Sequence, residues 1–129
     1  MSSSKPKVLI ADDKIACRAL MKAVLISMNC EVVGEAGNGE EATGLYRKLK
    51  PHLLMLDVNM PLKTGDEVLE EIIHEFPDAF VIMLTSVVDL PTIEKCLSLG
   101  AANYVRKDLP LEELKAIIRE TWQTFVQGD

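Results

Sequence analysis

The chain has 129 residues, which fits one domain, and its 48% hydrophobic content can supply one core. A formal charge of −6 and a pI near 4.9 argue against nucleic acid or an anionic membrane as the main partner. Cys17, Cys30 and Cys96 are odd in number, widely spaced and without a C-x-x-C pattern. They fit small buried apolar residues of a reduced, cytoplasmic protein, and no apolar run is long enough to span a bilayer.

In chain order, residues 1–6 read as a disordered polar tail without the apolar segment of a signal peptide. Val8-Leu9-Ile10 reads as a strand that leads into Asp12-Asp13 and a helical stripe of Ala16, Leu20, Ala23 and Val24. Glu31–Ala36 is the second strand. Asn38 and Glu41 have capping-box spacing before a helix carrying Ala42, Leu45, Tyr46 and Leu49. Leu53–Leu56 is a continuous apolar run that stops at Asp57. Thr64 and Glu67 open a third helix with Val68, Leu69, Ile72, Ile73 and Phe76 inward, and Pro77 ends it. Phe80–Leu84 leads into Thr85-Ser86. Asp89 and Pro91 start a helix with Ile93 and Leu97, and Gly100 suits its left-handed end. Asn103–Val105 leads into Arg106-Lys107, followed by a helix carrying Leu111, Leu114, Ile117, Ile118, Thr121, Trp122 and Phe125. Residues 127–129 form a short tail, which leaves one domain over 7–126.

Strand and helix alternate about five times, which implies parallel strands with right-handed crossovers and a doubly wound α/β domain. Ligands of such sheets bind beyond the carboxyl ends of the strands. Asp12, Asp13, Asp57, Thr85 and Lys107 all fall there. Singly, each has an ordinary explanation: a helix cap, a turn acid, a strand threonine, a solvated lysine. Together they need another, because clustered carboxylates raise one another's pKa and destabilise the fold unless a cation joins them. Oxygen ligands alone select a hard cation such as Mg2+. Asp12, Asp13 and Asp57, directly or through water, with the backbone carbonyl of Asn59, are the candidate ligands. Asp57 could be the nucleophile for a phosphoryl group, with the Lys107 ammonium and the Thr85 hydroxyl on its oxygens.

These residues resemble the receiver domain of two-component response regulators. The resemblance runs from about Lys7 to Phe125. It is carried by Asp12-Asp13, the stretch Leu56-Asp57-Val58-Asn59-Met60-Pro61, Gly65, Thr85 and the run from Gly100 through Ala101 and Tyr104 to Lys107. It implies a flavodoxin-like sheet of order 2-1-3-4-5 flanked by five helices. It also implies a signalling switch rather than an enzyme: Asp57 accepts phosphate from a sensor histidine kinase or phosphotransfer protein of a phosphorelay. Asp12 and Asp13 hold Mg2+, Lys107 pairs with the phosphoryl group, and Thr85 and Tyr104 form the switch. The switching surface would lie around Ile93, Lys95, Tyr104 and Arg106, and the output would be a downstream protein or an output domain outside this chain, without direct nucleic-acid or membrane binding.

Three positions depart from the family pattern. Asp108 follows Lys107 where the family has a cis proline; a non-proline cis bond costs about 2.5–4 kcal/mol, so the loop is expected either to relax to trans, which could move Lys107 and weaken its pairing, or to be held cis by its surroundings. Val87 is apolar where the family lines the approach to the phosphoryl group, which predicts slow hydrolysis, and Ser86 replaces a small apolar residue. Other readings are a haloacid-type phosphatase, which needs a second acid two residues after its nucleophile, a flavodoxin, which needs a Ser/Thr/Gly-rich phosphate loop, and a pseudo-receiver that never takes phosphate. His52 and His74 lie on different elements and are expected to share no metal; Met21, Met28, Met55, Met83 and Trp122 read as core packing.

Overall fold

The computed structural model describes residues 5–86 and 89–127. The position of Val87 and most of the expected terminal tails lie outside the described residues. The elements follow in order as β1 (Lys7–Ala11), α1 (Ile15–Ser27), β2 (Glu31–Ala36), α2 (Gly39–Leu49), β3 (Leu53–Leu56), α3 (Gly65–Glu75), β4 (Val81–Thr85), α4 (Leu90–Leu99), β5 (Asn103–Arg106) and α5 (Leu111–Gln127). The sheet order is β2-β1-β3-β4-β5, with each neighbouring pair parallel. That is the flavodoxin-like order. Helix α5 runs to Gln127, so the expected domain end at residue 126 falls inside the helix.

The central strands read as apolar runs because both of their faces are covered. Successive residues alternate sides. Leu9, Leu54, Leu56, Val81 and Met83 join residues of α2, α3 and α4 in one core, whereas Val8, Ile10, Leu53, Met55, Ile82 and Leu84 join those of α1 and α5 in the other. Each fully buried Leu or Ile contributes about 1.5–3 kcal/mol to such a core. Met21, Met55 and Met83 are buried, and Trp122 packs on Phe80 with ring centroids 5.3 Å apart.

The inward faces of α2 and α3 are those the spacing predicts. Three others differ. On α1, Met21, Val24 and Leu25 are the buried residues, while Ala16, Leu20 and Ala23 face outward. Ile15, Leu20 and Ile26 are also exposed. The helix is apolar around most of its circumference, so period alone admits more than one inward face, and contact with the sheet selects it. On α4, Cys96 is buried and Leu97 is 46% exposed. On α5, Leu111 and Phe125 are each 45% exposed, leaving Leu114 and Ile118 as the buried pair. Cys17 and Cys30 are half-buried, and only Cys96 is fully enclosed.

Two glycines serve different purposes. Gly100 ends α4 with φ 117°, a left-handed conformation that suits a residue without Cβ. Gly65 starts α3, where a Cβ would lie 2.0 Å from the carbonyl oxygen of Asp57. The glycine lets α3 begin in contact with the end of β3. Among the described residues no helix is long and apolar enough to cross a membrane.

Candidate functional site

Parallel pairing brings the strand ends to one rim and continues past them. The Asp12 N–H donates to the Ala36 carbonyl at 3.0 Å, the Asp57 N–H to Ala11 at 2.9 Å and the Lys107 N–H to Thr85 at 2.9 Å. Residues distant in sequence are therefore held side by side. Asp12 and Asp57 are each 4% exposed and Thr85 is fully buried, whereas Asp13 is exposed. Carboxylate oxygens of Asp12, Asp13 and Asp57 lie within 4.8 Å of one another. Among the described residues this is the one group of three or more His, Cys, Asp or Glu side chains so arranged, and neither His52 nor His74 belongs to it. His52 instead accepts the Lys7 N–H through Nδ1 at 2.9 Å.

Lys107 Nζ enters the cluster, 2.5 Å from Asp12 Oδ2 and 3.4 Å from Asp57 Oδ2. Every peptide bond among the described residues is trans, including Lys107–Asp108. Across this trans bond Lys107 still reaches both Asp12 and Asp57. Its backbone is tied to Thr85, and its long side chain spans the remaining gap. Asp108 turns away to pair with Arg106 at 2.6 Å.

Burial pushes the Asp57 carboxyl above its ordinary value; Lys107 opposes this, and the Asp12 charge adds to it. Burial works against the Lys107 ammonium, but its hydrogen bond to Asp12 and the charges of Asp57 and Asp12 more than offset that and raise its pKa. Three carboxylates facing one ammonium leave a formal charge of −2, which one divalent cation would neutralise. The all-oxygen donor set and this deficit both fit Mg2+.

Asp12 is also a local brace, since its Oδ1 accepts the Lys14 N–H at 2.9 Å as α1 begins. This bond goes to the N–H of Lys14, the N-cap residue of α1, and among the described residues α1 has no side-chain cap, so Asp12 does not cap the helix as its ordinary reading expects. Tyr104 is half-buried on β5, its hydroxyl pKa raised by burial, and its side chain hydrogen-bonds that of Thr85. Asn59 is exposed in the loop after Asp57, where the Gly65 N–H donates to the Val58 carbonyl at 2.7 Å. Sequence reasoning missed Arg18, whose Nη1 donates to the Asp12 carbonyl at 2.7 Å. The only signal for it was a lone positive charge among apolar residues early in α1.

The family model described as the response regulator receiver domain matches residues 8–119. The chain is 36% identical over 111 residues to Protein CcdB of Bacillus subtilis, covering 86% of this chain and 91% of that one. It is 32% identical over 101 residues to Chemotaxis protein CheY of Thermotoga maritima, covering 78% and 84%. Against the uncharacterized transcriptional regulatory protein YhcZ of Bacillus subtilis the identity is 37%, and the match covers 84% of this chain but 51% of that one. The chain thus spans about half the length of that regulator. Among solved structures, the response regulator domain of Thermotoga maritima CheB superposes with a TM-score of 0.84 at 27% identity, covering 95% of this chain and 97% of that one. Shared sequence over most of its length, on a sheet of the same fold, makes this chain a member of the response regulator receiver domain family.

Proposed function

We propose that the chain is the phosphoacceptor of a two-component phosphorelay in the cytoplasm, with Asp57 taking the phosphoryl group from a phosphohistidine of a sensor kinase or phosphotransfer protein. One observation carries this reading: a buried carboxylate at the end of a central strand, with an ammonium 3.4 Å away and two further acids beside it. An oxygen of Asp57 attacks phosphorus, the phosphorus–nitrogen bond breaks, and its electron pair stays on the imidazole nitrogen. Lys107 balances charge on the phosphoryl oxygens, and the Thr85 hydroxyl donates to one of them. Asp12, Asp13, Asp57 and the Asn59 carbonyl would hold Mg2+. When bound, the ion supplies charge neutralisation on the transferring group.

The product carries about −1.5 to −2 charges where one carboxylate stood. A new acceptor near Thr85 competes for the hydroxyl that Tyr104 now engages. That contact is the element through which the phosphate would bias the surface formed by Ile93, Lys95, Tyr104 and Arg106. The output is contact with a downstream protein or with an output domain.

The test uses acetyl phosphate with and without Mg2+ on wild type and Asp57→Asn, read by intact mass. One added phosphoryl group that requires Mg2+ and disappears in Asp57→Asn is expected. Labelling that persists in the variant, or turnover of a phosphomonoester, overturns the assignment.

A further inference from the structure

We propose that Arg18 is a positioning residue for the cation site: it clamps the peptide group between Asp12 and Asp13 and so sets the direction in which both acids leave the chain. This rests on the reading of Asp12, Asp13 and Asp57 as a cation site. The grip is specific. Arg18 Nη1 donates to the Asp12 carbonyl at 2.7 Å, and that carbonyl belongs to the 12–13 peptide. Arg18 Nε donates to Glu35 Oε1 of β2 at 3.1 Å, so the guanidinium bridges the edge strand to the acid pair. Its side chain is only 18% exposed.

Each polar group of Asp12 is thereby engaged. Its N–H goes to Ala36, its carbonyl to Arg18, Oδ1 to the Lys14 N–H and Oδ2 to Lys107. Asp13 is different: it is exposed, and its direction follows from the backbone that Arg18 holds. Helix stability does not account for this arginine. It sits in the first turn of α1, which has no acid there, and a cation at that end opposes the helix dipole. Lys22 also reaches Glu35, at 3.5 Å, but its ammonium lies beside that carboxylate and makes no bond to Asp12.

The sign of the effect separates positioning from simple charge. Removing a nearby positive charge, by itself, tightens the binding of a cation. Losing the clamp loosens it, because the acids must then be ordered by the ion. Groups that orient metal ligands typically change affinity by about 10–100-fold.

The experiment titrates Mg2+ into the whole chain by calorimetry, for wild type, Arg18→Met, Arg18→Lys and Lys22→Met. Arg18→Met is expected to bind Mg2+ about tenfold more weakly or worse. Arg18→Lys, which keeps the charge but has one donor group for two acceptors, is also expected to be weaker, and Lys22→Met to match wild type. With acetyl phosphate as donor, the Mg2+ concentration for half-maximal labelling rises by the same factor in Arg18→Met, while the rate at saturating Mg2+ stays within about threefold. Equal or tighter binding in Arg18→Met overturns the proposal. If that variant does not fold, Arg18→Lys decides in the same way. A wild type that takes up no Mg2+ at millimolar concentration instead overturns the cation site beneath it.

Discussion

Gly65→Ala tests the steric account of how the loop after β3 is held. A Cβ at this position would lie 2.0 Å from the Asp57 oxygen, 2.8 Å from the Asp57 carbonyl carbon and 2.8 Å from the Val58 Cα. All three are backbone atoms, which cannot swing aside as a side chain would. Ordinary contact begins at 3.4 Å, so the start of α3 and the end of β3 must separate by about 1.4 Å. The 2.7 Å hydrogen bond from the Gly65 N–H to Val58 must stretch with them. Overpacking of this kind destabilises by about 1–3 kcal/mol. Displacing a reacting group by about 1 Å can lower a rate by about 100-fold. Acetyl phosphate labelling of Asp57 at saturating Mg2+, followed by intact mass, is expected to slow by about that factor, alongside a denaturant midpoint that confirms folding. Gly100→Ala is the contrast. Its φ of 117° makes alanine strained, costing about 1–2 kcal/mol, yet it lies at the end of α4 against Ile73, and labelling should change by less than about threefold. A folded Gly65→Ala that labels at the wild-type rate refutes the reasoning.

Three further outcomes follow from the charges and the backbone. Asp57→Asn should be more stable than wild type at neutral pH in a chelator. The folded carboxyl has its pKa raised above 3.8, so its charged form is disfavoured by folding; the loss appears as pH rises through the folded value and is absent below 3.8. Denaturation midpoints across pH should show the gap closing in acid, and a gap that widens there contradicts the sign. Lys107→Met should bind Mg2+ more tightly, because the ammonium now neutralises Asp12 and Asp57, while its labelling rate falls about 100–1000-fold for want of a donor on the phosphoryl oxygens. Leu62→Gly should be neutral or stabilising by up to about 1 kcal/mol in urea unfolding, because Leu62 has φ 70° and is 77% exposed, so the substitution relieves left-handed strain and removes little packing.

The site was legible because it obeys a local rule. Each of its residues stands just after an apolar run, and in a parallel sheet all such positions share one rim. Asp12, Asp13, Asp57, Thr85 and Lys107 could therefore be grouped before their distances were known. The distances could not be read. Asp12 is enclosed and Asp13 open although they are adjacent and chemically identical, because only Asp12 lies beneath Lys107 and beside β2. Lys107 sits closer to Asp12 than to Asp57, which depends on where β5 ends relative to β1 and β3. The Lys107 backbone is held by the Thr85 carbonyl, a long-range contact with no local signature.

The sequence by itself determined the alternation of strand and helix, the doubly wound class and the set of polar residues at the strand ends. Periodicity and turn chemistry are properties of neighbours along the chain, so they survive without coordinates. Tertiary structure alone decided which side of α1 is buried, that Cys96 rather than Leu97 faces inward on α4, and that Arg18 reaches back to Asp12. Those outcomes turn on which surface an element meets, and where apolar residues surround a helix, packing against the sheet chooses among faces that local pattern leaves equivalent.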